Sequence, residues 1–312
     1  MKKLTLLIDN KPTVFFSANI TFSIEQLAHQ FTCSIKPMAI EKPLSVEFKL
    51  DGKRIFIGTI DTVGTSTSST QYSTSISGRS LSANMIDSSI TMDAEYDQPL
   101  DVLLCAVAKE FGLSVKSDVA PSLIKIVPEF QINAESPVDH LVQLIKEQGF
   151  ILIERGGVLV IEQPAHAAIH GVALEVGKNI EELVINKHFA ELFYHIEVQG
   201  QWDDAKAIVT YAPANTQRRK VIVSDQLQTA ESCQSRAEYE RNLAIAKGLT
   251  ASTSLSDVFL ALTGNAINRT LRVIDTHQDF NEVMLVKSLT LSVNDSKADT
   301  KIELFRPFKE KA

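Results

Sequence analysis

The segment SVEFKLDGKRIFIGTID, residues 45–61, alternates apolar and polar side chains: Val46, Phe48 and Leu50 fall on one face, and Asp51-Gly52 separates two runs of strand formers. A period of two sends successive side chains to opposite faces of a sheet, and Asp-Gly tolerates the left-handed backbone of a two-residue hairpin turn. The segment therefore reads as a half-buried antiparallel pair. A lone hairpin is not stable in water, so further strands must flank it. Runs at residues 4–8, 14–16, 31–35 and 72–76 supply them and predict a first small antiparallel β-barrel over residues 1–92. Within it, Ser23-Ile24-Glu25-Gln26 has the form of a capping box and predicts one helical turn. GTSTSSTQ, residues 64–71, reads as an exposed hairpin loop.

The pattern changes after residue 92. Asp97 is placed to cap a helix with Pro99 in its first turn; Leu100, Leu103, Leu104, Val107 and Phe111 line one face, and Gly112 ends it. Ser136-Pro137 opens a second helix with Leu141, Leu144 and Ile145 inward, and FILIERGGVLVIEQ, residues 150–163, turns back on itself at Gly156-Gly157. Residues 93–168 are thus expected to form an α+β unit, with PAHAAIHG, residues 164–171, as a linker. Strands resume over residues 169–312, predicted as a second β-barrel with an inserted strand and long-helix segment at about 203–249. The helix, TAESCQSRAEYERNLAIAK at 229–247, carries a thin apolar stripe and is expected to be mostly exposed. Ile60-Asp61-Thr62 and Ile274-Asp275-Thr276 share one pattern, each expected to end a strand before a polar loop, which points to a duplicated unit. The predicted class is mainly β, two related small antiparallel barrels flanking an α+β domain.

Function classes narrow in turn. A chain of 312 residues with 44% hydrophobic content buries more than one core. Its longest apolar runs fall far short of the roughly 20 residues that span a bilayer, and Asp9, Asn10 and Lys11 interrupt the N-terminal run before a signal-peptide core forms. Synthesis in the cytoplasm and no membrane insertion are expected. Cys33, Cys105 and Cys233 are too few and too scattered for a disulfide framework or a zinc site, and are expected to be buried or inert. A net charge of −7 is the wrong sign for a surface that grips nucleic acid. Of His29, His140, His166, His170, His188, His195 and His277, only His166 and His170 share a helical spacing, with no carboxylate between them and Pro164 and Gly171 beside them. Gly-x-Ser-x-Gly, Walker and Gly-x-Gly-x-x-Gly motifs are absent, and the pairs Asp203-Asp204 and Glu181-Glu182 read as solvated faces. The expectation is no catalytic residue, no cofactor and no metal.

ISGRSLSANMIDSSI, residues 76–90, starts as a strand, breaks at Gly78-Arg79 and continues with Leu81, Met85 and Ile86 at helical spacing before Asp87. Gly78, Arg79 and Asp87 are expected to form a structural clasp tying a strand end to a helical turn. This stretch resembles the Gly-Arg-Ser signature of the Mu-like contractile-phage tail protein P, a baseplate hub subunit. QPLDVLLCAVAKEFGL (98–113), ESPVDHLVQLIKEQGFILIERGGVLVIEQP (135–164) and RAEYERNLAIAKG (236–248) resemble segments of that family in the same order, over nearly the whole chain. Where relatives carry a Trp-Pro-Asn-like motif, this sequence has Gly264-Asn265-Ala266-Ile267-Asn268.

The resemblance implies a hub fold shared with the N-terminal half of type VI secretion spikes. It implies a homotrimeric ring of six barrels between a six-fold tail tube and a trimeric spike, with DNA passing through an axial channel without specific binding. The α+β insert then lies outside, and the location is the virion baseplate, assembled in the bacterial host cytoplasm. Two other readings stand beside it: the hub of a type VI or phage-like spike, and a tail-borne cell-wall binding or hydrolase module. The second lacks the aromatic platform such modules use, with one Trp, Trp202, and 7% aromatics.

Overall fold

The computed structural model describes residues 3–67, 72–165, 167–202, 204–224 and 227–308. The first β half contains β1 (Leu4–Ile8), β2 (Lys11–Thr13), β3 (Phe15–Ser23), β4 (Gln30–Ile35), β5 (Ser45–Leu50), β6 (Lys53–Thr67) and β7 (Tyr72–Ser80), followed by the single turn α1 (Ala83–Ile86). The α+β unit contains β8 (Ile90–Pro99), α2 (Leu100–Glu110), β9 (Ser114–Ser117), β10 (Ile126–Glu135), α3 (Pro137–Glu147), β11 (Ile151–Arg155) and β12 (Val158–Glu162). The remainder contains β13 (Ala167–Glu175), β14 (Leu183–Lys187), β15 (His195–Gln199), β16 (Lys206–Thr210), β17 (Arg219–Val223), α4 (Ala230–Lys247), β18 (Leu249–Leu255), β19 (Arg269–Asp275), β20 (Phe280–Asn294) and β21 (Ala298–Phe305).

The protein is mostly β with a helix-bearing unit, and its two β halves share one sheet. Among the described residues that sheet has 13 strands, in the order β14-β18-β21-β20-β3-β4-β7-β6-β5-β1-β2, with β13 and β19 attached through β20. Strand β20 stitches the halves together: Phe280–Leu285 pairs with β19, and Ser288–Asn294 pairs with β3. Neither half closes into a separate barrel. A 15-residue strand is long enough to be a neighbour in both halves, and pairing it twice leaves no free edge between them.

The β5–β6 hairpin forms as the alternation requires, with Val46, Phe48 and Leu50 fully buried and Asp51 and Gly52 at φ +49° and +79° in the turn. Phe22, Phe31, Phe48 and Phe56 meet edge to face, at 5.4–6.4 Å between ring centres, and fill the first half. One apolar core runs from there to Leu285, Leu289, Ile302 and Leu304 of the second half. A second core, from Met85 to Ile161, lies inside the α+β unit, and a third joins β15 and β16 to Cys233 and Ala237 of α4.

Several expectations are corrected. Ser23 starts no helical turn, because its hydroxyl accepts from the Glu25 amide two residues on, a turn contact rather than a cap. Strand β6 runs on to Thr67, so residues 64–67 of the expected loop are paired with β7; residues 68–71 lie outside the described residues. The first helix of the α+β unit begins at Leu100, and Asp97 sits at φ +52° within β8 instead of capping it. The expected linker is strand from Ala167 on, paired in parallel with β19, and His166 lies outside the described residues. Helix α4 is half-buried: Cys233 and Ala237 enter the third core while Tyr239 and Ala246 enter the first. Its apolar residues serve two cores in different directions, so no single stripe shows in the sequence. Cys33 and Cys233 are buried, whereas Cys105 is exposed on α2.

Candidate functional site

Strands β6 and β7 approach so closely at residue 78 that a Cβ there would lie 1.9 Å from the Thr59 carbonyl oxygen. Only glycine fits, and β6 answers with an irregularity between Ile60 and Thr62 that pushes Asp61 out of the regular pairing. Asp61 thereby reaches the next residue of β7: the Arg79 guanidinium donates from Nε to Asp61 at 2.7 Å, and from Nη1 and Nη2 to Asp87 at 3.0 and 2.5 Å. Gly78, Arg79 and Asp87 are thus brought together, with Asp61, expected only as part of a repeated triplet, as a third charged partner. The guanidinium holds the exposed Asp87 carboxyl below its usual range through these hydrogen bonds.

The two triplets suspected of repetition are not placed alike. Ile60, Asp61 and Thr62 lie mid-strand, with Asp61 exposed, while Ile274-Asp275 ends β19 and Thr276 starts a turn. Asp275 is buried and accepts from the His277 amide and from Gln278 Nε2.

Beyond Arg79 the signature turns inward. Ser80 and Ser82 are buried, and both hydroxyls donate to Oε2 of Glu154, which also accepts from the Ser82 amide at 3.0 Å. The next contact is His29, whose Nε2–H donates to the Glu154 carbonyl at 2.8 Å; its Nδ1 is buried without a partner among the described residues. Burial pushes the Glu154 carboxyl up, against the pull of its hydroxyl and amide donors. Burial likewise pushes His29 down to about 4, with the Arg155 charge adding to the effect.

Glu154 belongs to β11, and its hairpin partner β12 ends in a second buried carboxylate. Glu162 receives Arg155 Nε and Nη2 at 2.9 Å each, Arg269 Nη1 and Nη2 at 2.8 and 3.0 Å, and Asn268 Nδ2 at 3.0 Å. Burial opposes its charge, but two bidentate guanidinium contacts outweigh that and hold it down to about 2. Arg155 also donates to the Gly264 and Ile267 carbonyls at 2.7 Å. Gly264 rests on the Phe22 ring, with no room for a Cβ. The stretch Gly264 to Asn268 is therefore where the β11–β12 hairpin grips the second half, while Glu154 grips the first.

The outward face of the shared sheet is the other notable surface. Cross-strand rows Ser292–Asn19–Thr32–Ser77–Thr62 and Asn294–Ser17–Ser34–Ser75–Gly64 run over β20, β3, β4, β7 and β6 without a charged side chain. The opposite side of the same strands carries Leu291, Ile20 and Phe31 into the core. The adjoining row on the same face, Thr290–Thr21–Gln30–Arg79, joins Thr21 and Thr290 through their hydroxyls at 3.2 Å and brings the Arg79 guanidinium to the edge of the two uncharged rows.

The remaining candidates stay apart. His140 contacts Glu135, His188 contacts Thr250, His195 contacts Glu197, and His170 is exposed on β13. Among the described residues no group of His, Cys, Asp and Glu could hold a metal ion, and no helix is long and apolar enough to cross a membrane. Asp203 lies outside the described residues, while Glu181, Glu182, Asp204 and Trp202 are exposed.

No protein-family model matches the chain, and neither does any curated protein sequence. Solved structures do. The 43 kDa tail protein of prophage MuSo2 from Shewanella oneidensis superposes with a TM-score of 0.85 at 24% identity, covering 98% of each chain. A tail protein from Neisseria meningitidis MC58 follows at 0.82 and 16% identity, covering 98% of this chain and 96% of that one. A type VI secretion component from Escherichia coli, described as structurally similar to T4 bacteriophage tail proteins, gives 0.63 at 10% identity over 98% of this chain and 77% of that one. The chain has the fold of prophage tail proteins, which at lower similarity is also the fold of a type VI secretion component.

Proposed function

We propose that the chain is a structural subunit of the hub of a Mu-like phage or prophage contractile tail. In this reading three copies close into a ring between tail tube and trimeric spike. Residues 1–92 and 169–312 form its wall, and 93–168 lies outside. Likeness in fold to prophage tail proteins supports the reading. The observation that carries it is the pair of uncharged polar rows running without a break over the seam between β20 and β3. A wall facing passing DNA must not hold phosphates: cations there would bind them with release of counterions and slow passage. Short hydroxyls offer only weak, exchangeable hydrogen bonds. No catalysis is assigned to any residue.

The test puts cations on this band of two rows. Thr32→Lys with Ser77→Lys should leave assembly intact but make the ring retain double-stranded DNA at low salt, with retention falling steeply as salt rises. Retention equal to that of a ring carrying Val283→Lys and Val184→Lys, both away from the band, would remove the band from the passage. The type VI reading keeps the same ring and the same band. It has one observation of its own, the likeness to the Escherichia coli component, and that likeness is weaker.

A further inference from the structure

The small sheet β16-β15-β17 stands apart from the shared sheet and ends on an open strand. Its inner face, with Ile196, Val198 and Val209, packs in the third core against Cys233 and Ala237 of α4. Strand β17 runs parallel to β15, and two bonds fix which of its residues look inward: the Arg218 carbonyl accepts from the His195 amide, and the Ser224 amide donates to the Gln199 carbonyl. Along a strand, successive residues turn their N–H and C=O to opposite sides. Residues 218, 220, 222 and 224 therefore face β15, while Arg219, Val221 and Val223 turn both backbone groups outward, where no strand meets them among the described residues. The same residues carry exposed side chains, Val221 at 56% and Val223 at 66%. A row of donors and acceptors repeating every two residues is matched by extended backbone and by little else.

The charges around this edge say what that backbone carries. Glu197, in the middle of the outer face, is held by Lys206 at 2.6 Å and by His195 and Gln199. Arg218 donates to the Leu192 and Ala190 carbonyls, and Lys220 pairs with Glu240 of α4 at 2.7 Å. Arg219 is exposed on the edge itself, and no carboxylate pairs with it among the described residues. The far edge is less inviting: β16 turns outward Lys206, Ile208 and Thr210, with one apolar side chain and a lysine of the kind that discourages pairing. We propose that the open edge of β17 takes up an extended segment of a partner protein as a fourth, antiparallel strand, with β-branched apolar side chains beside Val221 and Val223 and a carboxylate beside Arg219. This goes beyond the hub reading and stands without it, since the edge belongs to one chain.

The probe is the peptide acetyl-Thr-Val-Thr-Val-Thr-Glu-Thr-amide, titrated into the full-length protein and followed by amide NMR. In antiparallel register its valines lie beside Val223 and Val221 and its glutamate beside Arg219, and the amides of those three peptide residues face β17. Binding should slow hydrogen exchange at the Arg219, Val221 and Val223 amides and leave β16 unchanged. N-methyl groups on both valines remove two backbone hydrogen bonds and should weaken binding at least about tenfold; on the second and third threonines, whose amides point away, they should weaken it by less than about twofold. Arg219→Glu changes an exposed side chain, so the fold should stand, and it should reverse the preference for this peptide over one with lysine in place of glutamate. Thr210→Glu, on the opposite edge, should change nothing. No binding at millimolar peptide, equal weakening by the two methylation patterns, protection on β16 instead of β17, or self-association of the protein through β17 that the peptide does not displace would each overturn the proposal.

Discussion

Two charged clusters tie separate parts of the chain together in opposite ways. Arg79 joins Asp61 and Asp87 at the surface, where side chains remain about a third exposed or more. Glu162 joins Arg155 and Arg269 in the interior, with its own side chain fully buried. At the surface, solvent screening and side-chain entropy leave an ion pair contributing little. In the interior, desolvation is large, so the pair must be complete, and losing one partner strands a buried charge. The visible clasp should therefore matter less than the hidden one. The β11–β12 hairpin, with Glu154 facing one half and Glu162 the other, should be what makes two β halves behave as one body.

The largest effect expected is that of Glu162→Ala, which strands two guanidinium groups and should cost about 3–5 kcal/mol in chemical denaturation. An effect no larger than that of Arg79→Ala would reverse the comparison. Next comes pH. His29, held near 4 when folded against an ordinary value of 6.5, leaves the folded state binding fewer protons. Stability should therefore fall, by up to about 3 kcal/mol, as pH drops from 6.5 to 4. Glu162 has its folded value depressed to about 2, so its contribution is complete above about 4.5 and is lost between there and 2. His29→Gln keeps a donor for the Glu154 carbonyl and should flatten the upper window while leaving the lower one; an unchanged upper slope would place the proton elsewhere.

Smaller again is Glu154→Ala, which deprives the buried Ser80 and Ser82 of their acceptor and should cost about 2–3 kcal/mol. Glu154→Gln retains an acceptor and drops the charge that burial disfavours, so its change should stay within about 1 kcal/mol. A Gln variant as damaged as the Ala variant would show that the negative charge itself is required. Smallest is Arg79→Ala, expected to cost about 1 kcal/mol or less and to lose its effect at high salt.

How much of this was legible follows from range. The Asp51-Gly52 hairpin and the two helices ending at Gly112 and Gly149 announce themselves, because their turns, caps and periodicity are local. Strand β20 pairing with both halves depends on partners more than 260 residues away, and no local pattern encodes that. Arg79 and Asp87 lie eight residues apart and were readable as a pair; Glu162 finds Arg269 across 107 residues, and in the sequence it is one more polar residue at the end of a strand. One signal was available. Glu154 and Glu162 interrupt otherwise apolar strands at positions facing inward, and a carboxylate in a buried run requires a partner. The long helix misled for a different reason, since its small apolar residues are shared between two cores.

In the proposed hub, the joined β halves form the wall of a ring. The most direct test is the native mass of the full-length chain in solution at micromolar concentration, without denaturant. The hub account predicts three copies, in a particle that electron microscopy shows to be open along its axis. A monomer or a two-fold dimer, or a trimer without an axial opening, would contradict it.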